Sequence, residues 1–543
     1  GNPRVRPVAS CLSDDPTEAL VAIANHHGVA ADHLVSFLTE QARSVPGWTA
    51  HARWRDREAP HAGRSGSHAH LAELLAVHAT LDALISKAPR VIRTDIPEAT
   101  AEDFLLGRSR RSLWQRALEI SITQPVITGV VDAAHNGAPS TATKQQPARA
   151  DVITCIDVRS ERLRRALEAR GHRTFGFAGF FGAALRYHAS PDLATNQCPV
   201  LIQPTTTVTA RRGASLWRHP LTRSTGALNS APVTPLVLAE AGGLVAGVAA
   251  LMQTVLPHRW KVANSAWTVT NTDGFVTGMS VADSAVLAAG ALKAIGLVDN
   301  FAPLIVVCGH GATVENNAFA SGYDCGACGG NTGEINAQVL ANALNDPAVR
   351  LLLRDEGIVI PDTTTAIAAL HNTTTDEVAI VAAHQAAPQA LEDFRADCAV
   401  AQKQVVAERS TLWPAAHTSG VITRSPQHCA HGRVSTAQRR AGDWSEAFPE
   451  WGLASNAMFI VGPRELTEGL DLAGRAFLHS YEPDLDADHS TLQLILTAPT
   501  IVTQWINSQY YCSTVAHSAL GAGDKATHNV VGDVGVLTGS HGD

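Results

Sequence analysis

The stretch DVITCIDV, at residues 151–158, decides the fold that we expect, because it is short and rich in β-branched residues. Runs of this kind predict a buried strand. SERLRRALEARG (160–171) follows and predicts a helix, with Ser160 as its N-cap and Gly171 at its end. The next stretch, HRTFGFAGFFGAAL (172–185), predicts a second strand and a Gly-rich turn. A strand, a helix and a second strand in succession are typical of a parallel sheet.

Two stretches further along the chain repeat this alternation. VADSAVLAAGALKAIGL (281–297) predicts an amphipathic helix, and PLIVVCGHG (303–311) predicts a buried strand that ends in glycine. Together they predict an α/β fold, with a mostly parallel, doubly wound sheet and helices on both faces. In such sheets the functional groups gather where strands end and helices begin. The residues with the richest chemistry in this chain lie at those strand ends.

Four regions of the chain differ in character. Residues 1–150 are rich in Ala, His, Arg and Leu, and we expect a mainly helical N-terminal region there. Residues 151–330 hold the alternating strands and helices, and we expect the α/β core with its metal site. Residues 331–440, Ala-rich and then polar, predict a helical and loop insertion. Residues 441–543, with aromatic and Gly motifs, predict a C-terminal part that packs on the core, and we expect the chain to be truncated.

The composition is that of a globular protein and excludes some functions. Hydrophobic residues make up 45% and charged residues 17% of the chain. The net charge of −8 argues against a nucleic-acid partner, since that affinity rests on clustered Lys and Arg. The nine cysteines show no paired framework, which favours a reducing compartment and metal or catalytic use. The most apolar segment, 235–257, contains Glu240, so we expect a buried or partner-facing helix rather than a membrane span.

The first chemical motif is CIDVR, with Cys155, Asp157 and Arg159. On an extended backbone these alternate residues project to one face, so a thiol, a carboxylate and a guanidinium would converge there. A thiolate is a strong zinc ligand, and a carboxylate can be a fourth ligand or a proton acceptor. Arg159 can hold Asp157 by two parallel hydrogen bonds. Alternatively, the cysteine is an ordinary core residue and the Asp–Arg pair is structural.

The second motif is CGHGATVENNAFASGYDCGACGG (308–330), which offers Cys308, His310, Cys325 and Cys328 directly after a strand. The C-x-x-C pair at its end is compatible with a zinc knuckle or with redox use, although neither a thioredoxin-like context nor a second C-x-x-C is present. We expect Cys308 to pack as a small apolar residue inside the strand.

Together the motifs predict a zinc site made by Cys155, Asp157, His310 and Cys325. If Asp157 leaves the zinc for Arg159, three ligands remain and water can take the fourth position. Zinc lowers the pKa of bound water to about 7, and Asp157 can orient the resulting hydroxide toward an electrophile such as CO2. A purely structural zinc site is the alternative, but such a site has no use for a releasable ligand.

The two motifs resemble those of the β-class carbonic anhydrases, with C-x-D-x-R at one strand end and V-V-C-G-H-G at another. That family has its second zinc cysteine at the third residue after the histidine. Here that position is Thr313, and Cys325 stands further along, as if a loop had been inserted between the ligands. The resemblance implies a β-carbonic-anhydrase-like sheet core.

This departure, together with several long motifs, makes the chain similar to the family of the inorganic carbon transporter subunit DabA. The motifs are CIDVRSE, FGFAGFFG, HGATVENNAFASGYDCGACGG, DWSEAFPEWGLA, GRAFLHSY and QWINSQYY. The resemblance implies zinc at Cys155, Asp157, His310 and Cys325, with Arg159 as the partner of Asp157. It also implies a peripheral protein on the cytoplasmic side of the cell inner membrane, working with DabB, a multi-spanning membrane subunit.

In that family setting, the pair would couple a cation gradient to the conversion of CO2 into bicarbonate. The zinc site would then be active only in the complex with the membrane partner. Two other functions stay open at this point: a free soluble β-type carbonic anhydrase, and a protein with a purely structural zinc. The loop between His310 and Cys325 favours the uptake subunit, because it could shield the site until the partner binds.

Overall fold

The computed structural model describes most of the chain, and every structural statement below concerns the described residues. They are residues 13–58, 70–85, 101–135, 148–190, 193–199, 202–210, 247–248, 250–256, 275–315, 320–382, 387–413, 426–444, 458–468, 470–472, 474–497, 499–501 and 503–504. The chain divides into two compact units, one formed by Gly1–Thr128 with Ser508–Asp543 and the other by Gly129–Asn507.

The first unit is helical where it is described. Its helices are α1 (Pro16–His26), α2 (Leu34–Ser44), α3 (Pro46–Glu58) and α4 (His70–Ile85), and α5 (Ala101–His135) begins in it. Asp15 caps α1 through its carboxylate, which accepts hydrogen bonds from the backbone of Thr17 and Glu18. Small apolar clusters hold the helices together, and their buried members include Leu20, Ile23, Phe37, Leu75 and Ala79.

The second unit is built on a five-stranded sheet with the strand order β2-β1-β7-β8-β9. Its strands are β1 (Asp151–Cys155), β2 (Arg173–Phe177), β7 (Leu304–Gly311), β8 (Thr365–Asn372) and β9 (Glu377–Ala382). All neighbours are parallel except β9, which pairs antiparallel with β8. From β1 the chain goes to β2 on one side and later returns to β7 on the other. The strand order therefore reverses between β1 and β7.

Helices cover both faces of this sheet. Leu163 of α6 (Ser160–Glu168) and Phe394 of α11 (Pro388–Arg409) pack on one face, among residues of β1, β7 and β8. The other face packs against α7 (Val281–Ala294), α9 (Glu334–Asn345) and α10 (Pro347–Asp355). A capping box begins α7, since Ser280 and Asp283 each bond the other's backbone. The predicted α/β class, with a mostly parallel sheet and helices, is confirmed.

Smaller elements complete the second unit. A four-stranded sheet with the order β4-β3-β5-β6 contains β3 (Leu185–Ser190), β4 (Leu193–Gln197), β5 (Thr206–Ala210) and β6 (Phe275–Thr277). A parallel pair is formed by β10 (Met458–Gly462) and β11 (Ala476–Ser480), and β11 lies beside β2. The remaining helices are α8 (Ala320–Tyr323), α12 (Pro426–Ala441) and α13 (Ser490–Thr497).

Three expectations need correction or restriction. Residues 365–372 and 377–382, predicted as helix and loop, form β8 and β9, because β8 buries apolar residues beside β7 and β9 pairs with β8 at the edge of the sheet. The N-cap prediction for Ser160 is wrong, since its hydroxyl donates to the carbonyls of Cys155 and Asp157. Most of segment 235–257 lies outside the described residues. In the part from 250 to 256, Leu251 and Val255 are exposed, so this part is not buried, and the partner-facing alternative stays a prediction. Among the described helices, none has the length and apolar character that crossing a bilayer requires.

Candidate metal centre

The candidate site lies where the strand order reverses. Cys155 is the last residue of β1, and His310 is the penultimate residue of β7. Parallel neighbours bring these ends to the same edge of the sheet, and the crevice at such a switch point is where α/β proteins bind ligands. Cys325 joins them from the segment before the 3-10 turn Gly326–Cys328.

One ligand atom each of Cys155, His310 and Cys325 lies within 4.8 Å of the others. All three residues are buried, with exposed fractions of 3%, 2% and 0%. Neither ring nitrogen of His310 has a hydrogen-bond partner, although both are buried. Buried polar atoms without partners are rare in native proteins. The three side chains therefore have the proximity that a shared metal ion requires, and His310 offers two ring nitrogens without a hydrogen bond.

Asp157 lies beside this group and is held by Arg159. Arg159 donates from Nε to Asp157 Oδ1 at 2.8 Å and from Nη2 to Asp157 Oδ2 at 2.9 Å. This is the two-pronged pairing in which guanidinium and carboxylate bind most strongly. Asp157 Oδ2 is also 3.7 Å from Nε2 of His310. The carboxylate thus stands next to the metal-ligand group while its oxygens face the guanidinium.

Arg159 is anchored on its far side by residues that the sequence reading missed. Its Nη1 donates to Thr373 Oγ1 at 3.0 Å, and its Nη2 donates to the carbonyl of Tyr323 at 2.9 Å. Thr373 Oγ1 in turn donates to the carbonyl of Gly311, the residue after His310. The loop after β8 therefore links the guanidinium to the strand that carries the histidine.

The environment of the thiols disfavours ionisation in the absence of a cation. The hydrogen bond to the Cys325 thiol, burial and the Cys325 charge all raise the pKa of Cys155 well above its usual value, against a lowering by His310. Burial likewise raises the pKa of Cys328. A divalent ion reverses this balance, because it stabilises thiolates directly.

Gly179 closes the site from the turn after β2. A Cβ atom at this position would lie 2.6 Å from the sulfur of Cys325 and 2.7 Å from that of Cys155. Only glycine allows the backbone to approach both sulfurs so closely. The thiol of Cys328 donates to the Gly179 carbonyl at 3.2 Å, which holds this turn in place.

The structure brings together Cys155, His310 and Cys325, and places Asp157 and Arg159 beside them as a pair. Cys308, expected to pack as an apolar residue, is 2% exposed in the sheet core, where burial raises its pKa to about 12. Thr373 escaped the sequence reading because the strand before it was not predicted. A run of buried polar residues directly after a strand, TTTD at 373–376, is the signal that could have indicated it.

Comparisons with known proteins agree in one family. The family model described as "Probable inorganic carbon transporter subunit DabA" matches residues 1–543. Proteins of that printed name in Chloroflexus aurantiacus (strain J-10-fl) and Novosphingobium aromaticivorans are each 36% identical to this chain, and the alignments cover 98% and 97% of it. The one in Salinibacter ruber is 36% identical over 92% of the chain.

The chain spans about two thirds of the length of these curated relatives, since the alignments cover 66%, 67% and 64% of them in the same order as above. No solved structure matches the chain.

Proposed function

Because the chain belongs to the family of the probable inorganic carbon transporter subunit DabA, we propose that it hydrates CO2 within an energy-coupled system for inorganic carbon uptake. The proposal includes a zinc ion held by Cys155, Asp157, His310 and Cys325, with Asp157 and Arg159 acting on the reactants. One observation carries it: two thiols, an imidazole and a carboxylate–guanidinium pair meet at the switch point of a parallel sheet.

The side chains fit a zinc ion. Two thiols and one imidazole within 4.8 Å of one another match the ligands that zinc takes in tetrahedral sites. A metal ion on one nitrogen of His310 would give that buried atom the partner it lacks within the protein. A metal ion would also lower the raised pKa of Cys155, because crowded buried thiols ionise when a cation lies between them.

We propose that Asp157 is the ligand that exchanges between the zinc ion and Arg159. Its carboxylate is bound to Arg159 and lies 3.7 Å from His310, so a small movement separates the two alternatives. While Arg159 holds it, three protein ligands remain for the metal. Catalytic zinc sites keep such an open position, whereas structural sites have four protein ligands.

The chemistry follows from these roles. Zinc, when bound, acts as a Lewis acid that makes water acidic near neutral pH. Asp157 accepts a hydrogen bond from the attacking water and directs its lone pair at the carbon of CO2. Arg159 fixes that carboxylate by two parallel hydrogen bonds and, with the buried surroundings, excludes bulk water. The products are bicarbonate and one proton, from CO2 and one water.

We further propose that the core is β-carbonic-anhydrase-like. The support is the position of the residues, since Cys155 and Asp157 follow one parallel strand and His310 ends its neighbour. The segment between His310 and Cys325 distinguishes this chain from the β-class carbonic anhydrases. It forms a wall of the site, where the carbonyl of Tyr323 accepts a hydrogen bond from Arg159.

A transporter subunit requires a partner, and the names of the relatives describe a subunit of an inorganic carbon transporter. We propose that the partner is a DabB-type multi-spanning membrane protein, and that the chain is peripheral on the cytoplasmic side of the cell inner membrane. The zinc site would act only in that complex. A cation gradient passing through the partner would then drive CO2 toward bicarbonate by removing the proton.

Burial of the ligands favours one competing function, a closed structural zinc site, because Cys155, His310 and Cys325 are almost inaccessible. CO2 hydration and zinc content of the purified chain, measured alone and after co-expression with the membrane partner, separate the candidates. We expect one zinc per chain and hydration only with the partner. Robust activity of the chain alone would indicate a free carbonic anhydrase, and zinc without activity in either setting would indicate the structural site.

Three variants sharpen this test. Cys325→Ala should lose zinc and hydration together. Arg159→Ala should lose hydration but keep most of its zinc, since it removes the partner of Asp157 and leaves the ligands. Cys308→Ala, a buried thiol outside the ligand group, is the control and should keep both. Normal uptake in the Arg159 variant would contradict the exchange of Asp157.

A further inference from the structure

A polar cavity of about 350 Å³ lies between α6, α11 and the segment 470–474. Glu161, Arg162 and Arg165 line its inner part, and the exposed residues Gln404, Glu408 and Asp471 line its outer part. Its walls carry charges of both signs. The cavity is therefore suited to water and small ions rather than to an apolar ligand.

A narrow neck adjoins this cavity. The neck shares Arg162 and Gly474 with the cavity, and it is also lined by Arg159, Asp376, Val405 and Arg409. Arg159 is the residue that binds Asp157 at the metal centre. Arg159 thus contacts Asp157 and also lines the neck, and the neck shares two lining residues with the cavity.

The neck has the size and the polar groups for one water molecule. Its volume is about 20 Å³, and a water needs at least about 10–15 Å³ by this measure. Bicarbonate, with four heavy atoms, does not fit. Two buried atoms at the neck, Oδ2 of Asp376 and Nε of Arg409, have no hydrogen bond. Nη2 of Arg409 lies 3.0 Å from Oδ2 of Asp376 as its ion-pair partner. Bridging water satisfies such atoms.

Asp376 faces one imidazole and three guanidinium groups. His371 of β8 faces its Oδ1 at 3.4 Å, and Arg409 of α11 faces its Oδ2. Arg159 and Arg162 face it across the neck, but Arg159 is already paired with Asp157, and Arg162 interacts with Glu408 and Asp471 as well. The neck therefore holds a carboxylate whose ion-pair partner is Arg409, beside two guanidinium groups that also interact with other carboxylates.

We propose that the neck and the cavity together form a passage that releases the proton of CO2 hydration. Asp376 and one water bound in the neck are the relay. The inference rests on the proposed function, which yields one proton per bicarbonate. The attacking water loses its proton to a hydrogen-bonded water beside Asp157, and that water passes a proton of its own to the neck water past the side chain of Arg159. That water gives its own proton to Asp376, which returns it through the waters of the cavity to solvent at Glu408. No bond other than O–H bonds forms or breaks, and bicarbonate leaves by another route.

The first test locates the water without using activity. In a high-resolution structure of the metal-free chain, we expect an ordered water within hydrogen-bond distance of Asp376 Oδ2 and Arg409 Nε. Val405→Leu, which adds a methylene to the wall of the neck, should remove it. Val400→Leu makes the same change at a 44%-exposed position of the same helix and should keep it.

The second test uses ¹⁸O exchange between CO2 and water by the zinc-loaded chain with its membrane partner. This method measures CO2–bicarbonate interconversion separately from the proton-dependent release of labelled water. Asp376→Asn and Val405→Leu should slow water release at least about tenfold and interconversion less than about twofold, with recovery on adding imidazole buffer. Val400→Leu should match the wild type.

Three results would overturn the relay. One is a dry neck in a structure that resolves other buried waters. Another is unchanged water release in a Val405→Leu protein whose neck is filled. The third is a wild type with the neck water but no hydration in any setting, which refutes the proposed function and leaves only a structural water. If Asp376→Asn fails to fold, the comparison of Val405→Leu with its control Val400→Leu decides alone.

Discussion

At the scale of single residues, the approach of Gly179 to two sulfurs shows how little space surrounds the metal centre. A methyl group there would overlap the thiols of Cys155 and Cys325 at 2.6–2.7 Å. The turn that carries Gly179 is fastened by the Cys328 thiol, so it cannot retreat without losing that hydrogen bond. The shape of the site therefore depends on a residue that contributes no ligand.

Gly179→Ala should lower zinc affinity at least about 100-fold, because the added methyl group displaces one sulfur or the turn. Competition with a chromophoric chelator measures this directly. Gly290→Ala is the matched control, since a Cβ there meets nothing within 4 Å on helix α7. It should leave zinc affinity unchanged and raise stability by roughly 0.5–1 kcal/mol. Equal zinc affinity in both variants would contradict this account.

At the scale of elements, the β10–β11 pair is tied to α6 through Arg464. Arg464 Nη1 lies 3.0 Å from Glu161, and Nη2 lies 2.8 Å from Glu168, with the arginine side chain only 16% exposed. Burial by itself raises the pKa of Glu168, but the charge and hydrogen bonds of Arg464 outweigh it and lower the pKa. Arg464 thus supplies positive charge to two largely buried carboxylates, and Arg164 and Arg165 supply more to Glu161.

Arg464→Ala should destabilise the protein by about 1–3 kcal/mol, since it removes the ion-pair partner of Glu168. Glu161 keeps Arg164 at 3.3 Å and Arg165 at 3.2 Å. Urea unfolding monitored by circular dichroism measures the change. Arg395→Ala removes an ion pair on α11 whose partners are 53% and 73% exposed, and it should cost less than about 1 kcal/mol. A similar small loss in both variants would show that the Arg464 network is not structural.

His479 on β11 makes the stability of this region depend on pH. Burial, opposed by a hydrogen bond to the Ser480 carbonyl and assisted by the charge of Arg164, lowers its pKa to about 4 from 6.5. Between these values the unfolded chain binds more protons than the folded one. Stability is therefore complete above about pH 6.5 and is lost as the pH falls toward 4, by about 3 kcal/mol at most.

His479→Gln should flatten the dependence of the melting temperature on pH in this window, relative to the wild type. His33→Gln, at a side chain that is 47% exposed, should leave the dependence unchanged. Parallel curves for the wild type and the His479 variant would contradict a buried neutral imidazole. Differential scanning calorimetry from pH 4 to pH 7 provides the measurement.

At the scale of the whole molecule, a metal ion would join three segments that are distant in sequence, at Cys155, His310 and Cys325. Binding energy at such a site becomes folding energy, because the unfolded chain has no preformed site. The fold around residues 322–328 should then depend on the metal more than the sheet does. The sheet has its own apolar core on both faces.

Removing the metal with a chelator should lower the stability of the wild type by about 4 kcal/mol when free metal had been at 1,000 times its Kd. Hydrogen exchange should rise first at residues 322–328. Cys325→Ala should show neither response, since it cannot hold the ion. An unchanged melting temperature and exchange pattern in the chelated wild type would argue that no ion is bound there.

The α/β class and the residues of the candidate metal centre were predictable because both depend on local patterns. A β-branched run before a helix indicates a buried strand wherever it occurs, and Cys, His and Asp at strand ends indicate a metal site by their chemistry alone. The strands β8 and β9 were not predicted. The β8 residues, TAIAALHN, are Ala-rich, and pairing with β7 makes them a strand. The β9 residues, EVAIVA, become the next strand of the sheet by pairing with β8.

By itself, the order of residues determined that the chain contains a mostly parallel α/β core and the thiols and imidazole of a candidate metal centre. Only the folded structure decided which partners the polar groups have. Arg159 binds Asp157 and Thr373 by hydrogen bonds, and Asp376 lines the neck. The physical reason is the distance along the chain over which each interaction acts. Secondary structure and ligand chemistry are set within a few residues, whereas a buried polar group finds its partner across more than 200 positions of chain.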